Sequence, residues 1–246
     1  MNEDQLNVKS HRRGFIARVS TGIAAFSLAG LVSPFNAMSQ PKPLAAKKPT
    51  AAMNPADEWF LKVKGRHKVV YDAPRPNEIM PFAWPKVFLL TNQATGSPES
   101  DCGVVVVLRH TAICYAFKDS MWAKYNFEEV FGAGNPGPTF QAADAAVATK
   151  TRNPFLSTNL GDFKIPGFGA VDIAIPQLQA SGVMFCVCSA AMTVFSTIIA
   201  GKMNMKPEEV MNDWNQELIP GIQPVPSGVW ALGRAQEHGC HYIFAG

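Results

Sequence analysis

The chain has 246 residues, 47% of them hydrophobic and 17% charged, with a formal net charge of +3. That describes one sizeable globular α/β-sized domain and leaves no basic run or basic–aromatic patch for nucleic acid. A net +2 of the charge sits in residues 1–39, where Lys9, Arg12, Arg13 and Arg18 face Glu3 and Asp4.

His11-Arg12-Arg13-Gly14-Phe15-Ile16 precedes a soft apolar segment, Val19 to Val32. This pattern resembles a twin-arginine export signal, with Arg12 and Arg13 as the paired arginines. The segment is too short for a convincing membrane span. Ala37-Met38-Ser39 offers a small-x-small cleavage site, so residues 1–39 read as a signal and Gln40 as the mature N-terminus. The resemblance implies export to the periplasm by the route that carries folded proteins. An uncleaved N-terminal anchor is the alternative.

Residues 40–65 read as a Pro-, Ala- and Lys-rich linker and lead-in, with a short helix over Asp57 to Lys64. The domain proper is 66–246. Lys68-Val-Val-Tyr71 is a first strand, ended by Asp72-Ala-Pro. Phe82 to Asn92 has helical spacing, and Pro85 limits where that helix starts. Cys102-Gly-Val-Val-Val-Val-Leu108 is a continuous β-branched run that reads as a central strand. Arg109-His110-Thr111 follows it, and Ala112 to Tyr125 reads as a helix. Phe131 to Ile165 is crowded with breakers and reads as a long insertion with one short helix near Gln141–Thr149. Such a segment suggests a lid, a binding element or an oligomer contact.

Val171 to Ala180 reads as a helix running into Gly182. Gly182-Val-Met-Phe-Cys-Val-Cys188 suits a buried strand, and Ser189 to Gly201 suits a helix with Ser189 as N-cap and Gly201 as terminator. The whole stretch is long enough to be a membrane helix, but its Cys/Val start and small polar residues fit a strand–helix unit better. Pro207 to about Leu218 is a helix with acids in its first turn. Ile222 to Val225 is a strand. Ser227 is the N-cap expected for a helix from Gly228 to His238, and Cys240 to Phe244 is the last strand. The alternation gives the α/β class, a three-layer sandwich with a mostly parallel, flavodoxin-like sheet. No internal repeat is visible.

Strand-then-helix order puts Arg109-His110-Thr111, Cys188-Ser189 and Pro226-Ser227-Gly228 at the carboxyl edge of the sheet, where such folds build their sites. Helix N-termini there favour a thiolate or a small oxyanion. The five cysteines, Cys102, Cys114, Cys186, Cys188 and Cys240, are odd in number, so one stays unpaired in a monomer. Cys102 and Cys240 begin their strands and belong near the opposite edge. Cys114 is a resolving thiol or packing, and Cys188 itself reads either as a nucleophile or as a small core residue. There is no Gly-x-Gly-x-x-Gly after a strand, no Walker loop and no Gly-x-Ser-x-Gly elbow. No two His have helical ligand spacing, and His241, conceivable with His110 and Cys188 as a metal ligand, should lie near the wrong edge. Neither a metal nor a cofactor is expected.

Gly182 to Cys188, Glu217-Leu-Ile-Pro-Gly221, Val225-Pro-Ser-Gly-Val229, Ala235 to Ile243 and Val104 to His110 together resemble the DsrE/DsrF-like family over about residues 66–118 and 170–246. The resemblance implies an α/β sandwich, commonly in trimers or hexamers, so a homo-oligomer is expected. Family members with a Cys at the position of Cys188 carry sulfur as a persulfide and hand it to a partner thiol or sulfur-carrier protein. The resemblance gives that role to Cys188 alone; Arg109, His110, Ser189, Ser227 and Gly228 enter as anion-stabilising or binding groups from their placement. The expectation is an exported sulfur relay with no stable membrane span in its mature form. A non-catalytic oligomeric module for a small anion or metal is the alternative, and a structural role in an envelope assembly is a third.

Overall fold

The structure is a computed structural model and describes residues 54–246. The twin-arginine signature at Arg12 and Arg13, the cleavage site and most of the Pro-rich linker lie outside those residues.

Helix α1 (Pro55–Phe60) leads into β1 (His67–Ala73), α2 (Met80–Ala94) and β2 (Cys102–Leu108). A 3-10 segment, His110–Ala116, is followed by α3 (Asp119–Tyr125), α4 (Phe127–Phe131) and α5 (Ala145–Thr151). A small antiparallel hairpin, Lys164–Ile165 with Gly169–Ala170, precedes α6 (Ile175–Ala180). Then come β3 (Met184–Cys188), α7 (Ser189–Met203), α8 (Pro207–Gln216), β4 (Gln223–Val225), α9 (Gly228–Glu237) and β5 (His241–Phe244).

The five strands form one wholly parallel sheet in the order β4–β3–β2–β1–β5. The chain steps three times in one direction from β1 to β4, then returns past the whole sheet to lay β5 beside β1. Right-handed crossovers put helices of opposite step direction on opposite faces. Accordingly Val69, Tyr71, Val104, Val106, Phe185 and Val187 point into the larger core. Val70, Val105, Val107, Cys186 and Val225 point the other way, toward α1 and α9, in a smaller core with Phe60, Ala231 and Ala235. The α/β sandwich with a flavodoxin-like parallel sheet expected from the sequence is the fold observed. Among the described residues no helix is long and apolar enough to cross a membrane.

Several boundaries differ from expectation. α2 starts at Met80, because Pro81 suits a first helical turn and Pro85 gives up only one early amide bond. Ala112 to Tyr125 is not one helix. Ala112 to Phe117 is buried all round, and Phe117 turns extended to bridge Leu218. The Asn153 side chain donates to the Tyr115 and Phe117 carbonyls at 2.9 and 3.0 Å, which satisfies the break. α6 begins only at Ile175, with Pro176 in its first turn. α7 passes through Gly201 and stops at Asn204, whose left-handed backbone (φ 54°) supplies the C-cap.

The 131–165 segment is anchored to the helical layer by aromatic rings. Phe155 is fully buried and stacks 3.9 Å from Phe82 and 5.0 Å from Phe163. Its helix is Ala145–Thr151, slightly later than expected.

Candidate functional site

The carboxyl ends of β2, β3 and β4 open into one cleft of about 320 Å³, and Arg109, His110, Cys188, Ser227 and Gly228 all line it. The sequence-derived grouping is therefore brought together in space, with one exception. Ser189 does not line the cleft and is not the N-cap.

Cys188 takes the capping place itself. Its backbone is still extended (φ −74°, ψ 105°), and its Sγ accepts a hydrogen bond from the Ala191 amide at 3.3 Å. Ser189 is already the first helical residue, so its hydroxyl is too far along the helix to cap. The Cys188 side chain ends the β3 run and is 6% exposed, at the floor of the cleft. An amide and a helix N-terminus aimed at a sulfur stabilise an anionic sulfur species.

The neighbouring N-termini are largely occupied. The Ala190 amide donates to the Pro226 carbonyl at 3.2 Å. The Ser227 Oγ accepts from the Trp230 amide at 3.2 Å, which is the N-cap expected for α9. Gly228 is needed for packing: a Cβ there would lie 2.4 Å from the Arg109 Cβ. The Arg109 stem thus lies flat across the first turn of α9.

Arg109 is committed as well. Its Nε and Nη2 donate to the two oxygens of Asp72 at 2.6 and 2.9 Å, and the Tyr242 hydroxyl donates to Asp72 Oδ2 at 2.8 Å. Asp72 is 2% exposed, at the carboxyl end of β1. The hydrogen bond to Asp72 pushes the Arg109 guanidinium further up, so it stays charged but paired. Burial, and then the Asp72 contact, push the Tyr242 hydroxyl up. Neither Asp72 nor Tyr242 was singled out from the sequence. The available signal was a carboxylate directly following a buried Val-Val-Tyr run, a placement that demands a partner.

His110 follows Arg109 in a left-handed backbone conformation (φ 47°), uncommon for a side chain other than glycine. Its exposed ring stacks 5.6 Å from Phe195 on α7. Among the described residues no hydrogen bond joins it to Cys188.

All five cysteines are free thiols. Burial pushes the Cys186 and Cys114 thiols well up, and the Cys240 thiol up to about 11. Cys102 is raised by burial and by the Asp101 and Glu99 charges. Cys114 is fully buried in the larger core, to which Cys188 also belongs at 6% exposure, but of the two only Cys188 lines the cleft, so Cys114 is packing. Cys102 and Cys240 sit toward the amino edge, as expected. His241 opens β5 opposite Val69, away from the cleft. No cluster of three or more His, Cys, Asp or Glu able to hold a metal occurs among the described residues. The 131–165 segment contributes no residue to the cleft lining.

No protein-family model matches the chain, and no curated protein is significantly similar to it.

Proposed function

We propose that this is an exported sulfur carrier of the DsrE-like kind, which holds sulfane sulfur as a persulfide on Cys188 and passes it to a partner thiol or sulfur-carrier protein. The observation that carries the reading is the capping sulfur: Cys188 Sγ ends the strand, receives the Ala191 amide and faces a cleft. The Cys188 thiolate attacks the outer sulfur of a donor persulfide. A new S–S bond forms, the donor S–S bond breaks, and the donor leaves as a thiolate. An acceptor thiolate then attacks the outer sulfur and releases Cys188 unchanged, with no net oxidation in either step.

The anion-binding alternative would have to use the first amides of α9, because those of Ala190 and Ala191 already have partners. The 320 Å³ of open space beside the sulfur gives a projecting persulfide somewhere to sit.

Intact mass of the reduced protein after incubation with a sulfane-sulfur donor tests the reading. Wild type should gain sulfur, reversibly with reductant, and Cys188→Ser should gain none. Serine is itself a good N-cap, so that variant keeps α7 and separates chemistry from folding. Sulfur loading that persists in Cys188→Ser would reject the assignment.

A further inference from the structure

We infer that the Cys188 cleft selects sulfane sulfur carried on a small apolar organic group, and discriminates against anionic donors of the thiosulfate type. The inference rests on the persulfide reading above and concerns which donor that site accepts.

Several of the polar groups that could greet an anion are spoken for. Two Arg109 nitrogens pair with Asp72, the Ser227 hydroxyl caps α9, and the Ala190 and Ala191 amides have acceptors. The side chains that remain facing the space are mostly apolar, Ala190, Ala191, Val194, Phe195 and Val229, and the His110 ring lies against Phe195. A dianion entering there would lose water and find few free donors, which is strongly unfavourable. An alkyl or aryl group would instead be covered by side chains that are already apolar. The volume, about 320 Å³, lies at the lower end for small-molecule sites, and Cys188 at 6% exposure is reached by a slender group.

Asp72 acts as the specificity-determining residue. Held by Arg109 and Tyr242, it neutralises the one fixed cation of the cleft and ties it down. The transfer conserves atoms and electrons: Cys188–S⁻ and R–S–SH give Cys188–S–SH and R–S⁻, with the proton retained on the moving sulfur. Thiosulfate would load the same sulfur and release sulfite, so the two donors report on the cleft with one product.

The test has two arms on the reduced full chain. In the first, sulfur loading at Cys188 is timed with an aryl-alkyl persulfide and with thiosulfate at equal concentration. In the second, Cys188 alkylation by iodoacetamide and iodoacetate is compared with the same pair of rates for a small free thiol. Wild type should favour the neutral reagent by about tenfold more than the free thiol does, as expected for an unpaired charge brought to the buried Cys188 between apolar side chains. Val194 and Val229 are 56% and 69% exposed, so Val194→Lys and Val229→Lys can be made without disturbing the core. Each should pull both preferences toward the anionic reagent. A wild-type alkylation preference equal to that of the free thiol, or one that both lysine variants leave unmoved, would overturn the inference. If neither donor loads Cys188 yet the alkylation preference holds, the sulfur-carrier reading fails and the cleft selectivity stands. If Cys188 in the folded protein resists every reagent, both fall.

Discussion

Around Cys188 the chain is built from small residues: Ala190 and Ala191 lie in the first turn of α7, and Gly228 opens α9 beneath the Arg109 stem. Under the 131–165 segment it is built from rings, with Phe82, Phe155, Phe163 and Phe140 stacked or tilted against one another. The first region keeps backbone close to backbone and leaves room for a ligand. The second fills space and brings a long irregular segment into the core. Dispersion and burial accumulate where atoms are many, so most of the stability should reside away from the cleft. The segment, read from the sequence as a lid, a binding element or an oligomer contact, packs its rings into the core and lines no part of the cleft.

The largest expected effect tests that division directly. Phe155→Ala should cost about 3–5 kcal/mol in urea unfolding, as for other buried rings, while Cys188 in the folded fraction keeps its alkylation rate. A changed rate would show that the two regions are coupled. Asp72→Asn comes next. It leaves the Arg109 guanidinium without its buried partner, at a cost of about 2–3 kcal/mol, reduced because the Arg109 side chain is 26% exposed. The released guanidinium should also speed iodoacetate alkylation of Cys188 relative to iodoacetamide.

Ser227→Ala removes a cap bond at the cleft and should cost about 1 kcal/mol by thermal or urea unfolding. Sulfur loading should survive it, since the Cys188 cap is separate. The smallest effect belongs to the ring side. Hydrogen bonds from Lys124 and Tyr125 hold the Asp213 carboxyl below its usual value of 3.8. A depressed folded value means that its contribution is present above about pH 4 and lost as pH falls through the folded value. Asp213→Asn should therefore weaken the protein slightly at neutral pH and flatten the acid limb of its stability profile. Urea midpoints at pH 7 and below pH 4 check this, and an unchanged acid limb would show the contact to be idle.

Much of the fold is legible locally. The runs at Lys68–Tyr71, Cys102–Leu108 and Gly182–Cys188 are short, continuous and mostly apolar, as strands buried on both faces are. The Ser227 cap is equally local, because a cap and its amide are three residues apart. Even the grouping of Arg109, His110, Cys188 and Ser227 follows from order along the chain, since every loop after a parallel strand lies on the same edge. The one-residue shift of the cap from Ser189 to Cys188 was not legible, because both residues offer a side-chain acceptor and only the exit angle of β3 chooses between them.

What the amino-acid sequence by itself determined is the parallel α/β plan and the edge on which the candidate site stands, because both rest on periodicity and strand–helix order. The tertiary structure alone decided how the site is charged. Asp72 and Arg109 are 37 residues apart, and Asp72 and Tyr242 are 170 apart. The first meeting depends on β2 pairing with β1 and the second on β5 returning to pair with β1, and hydrophobic periodicity carries no record of which strand lies beside which.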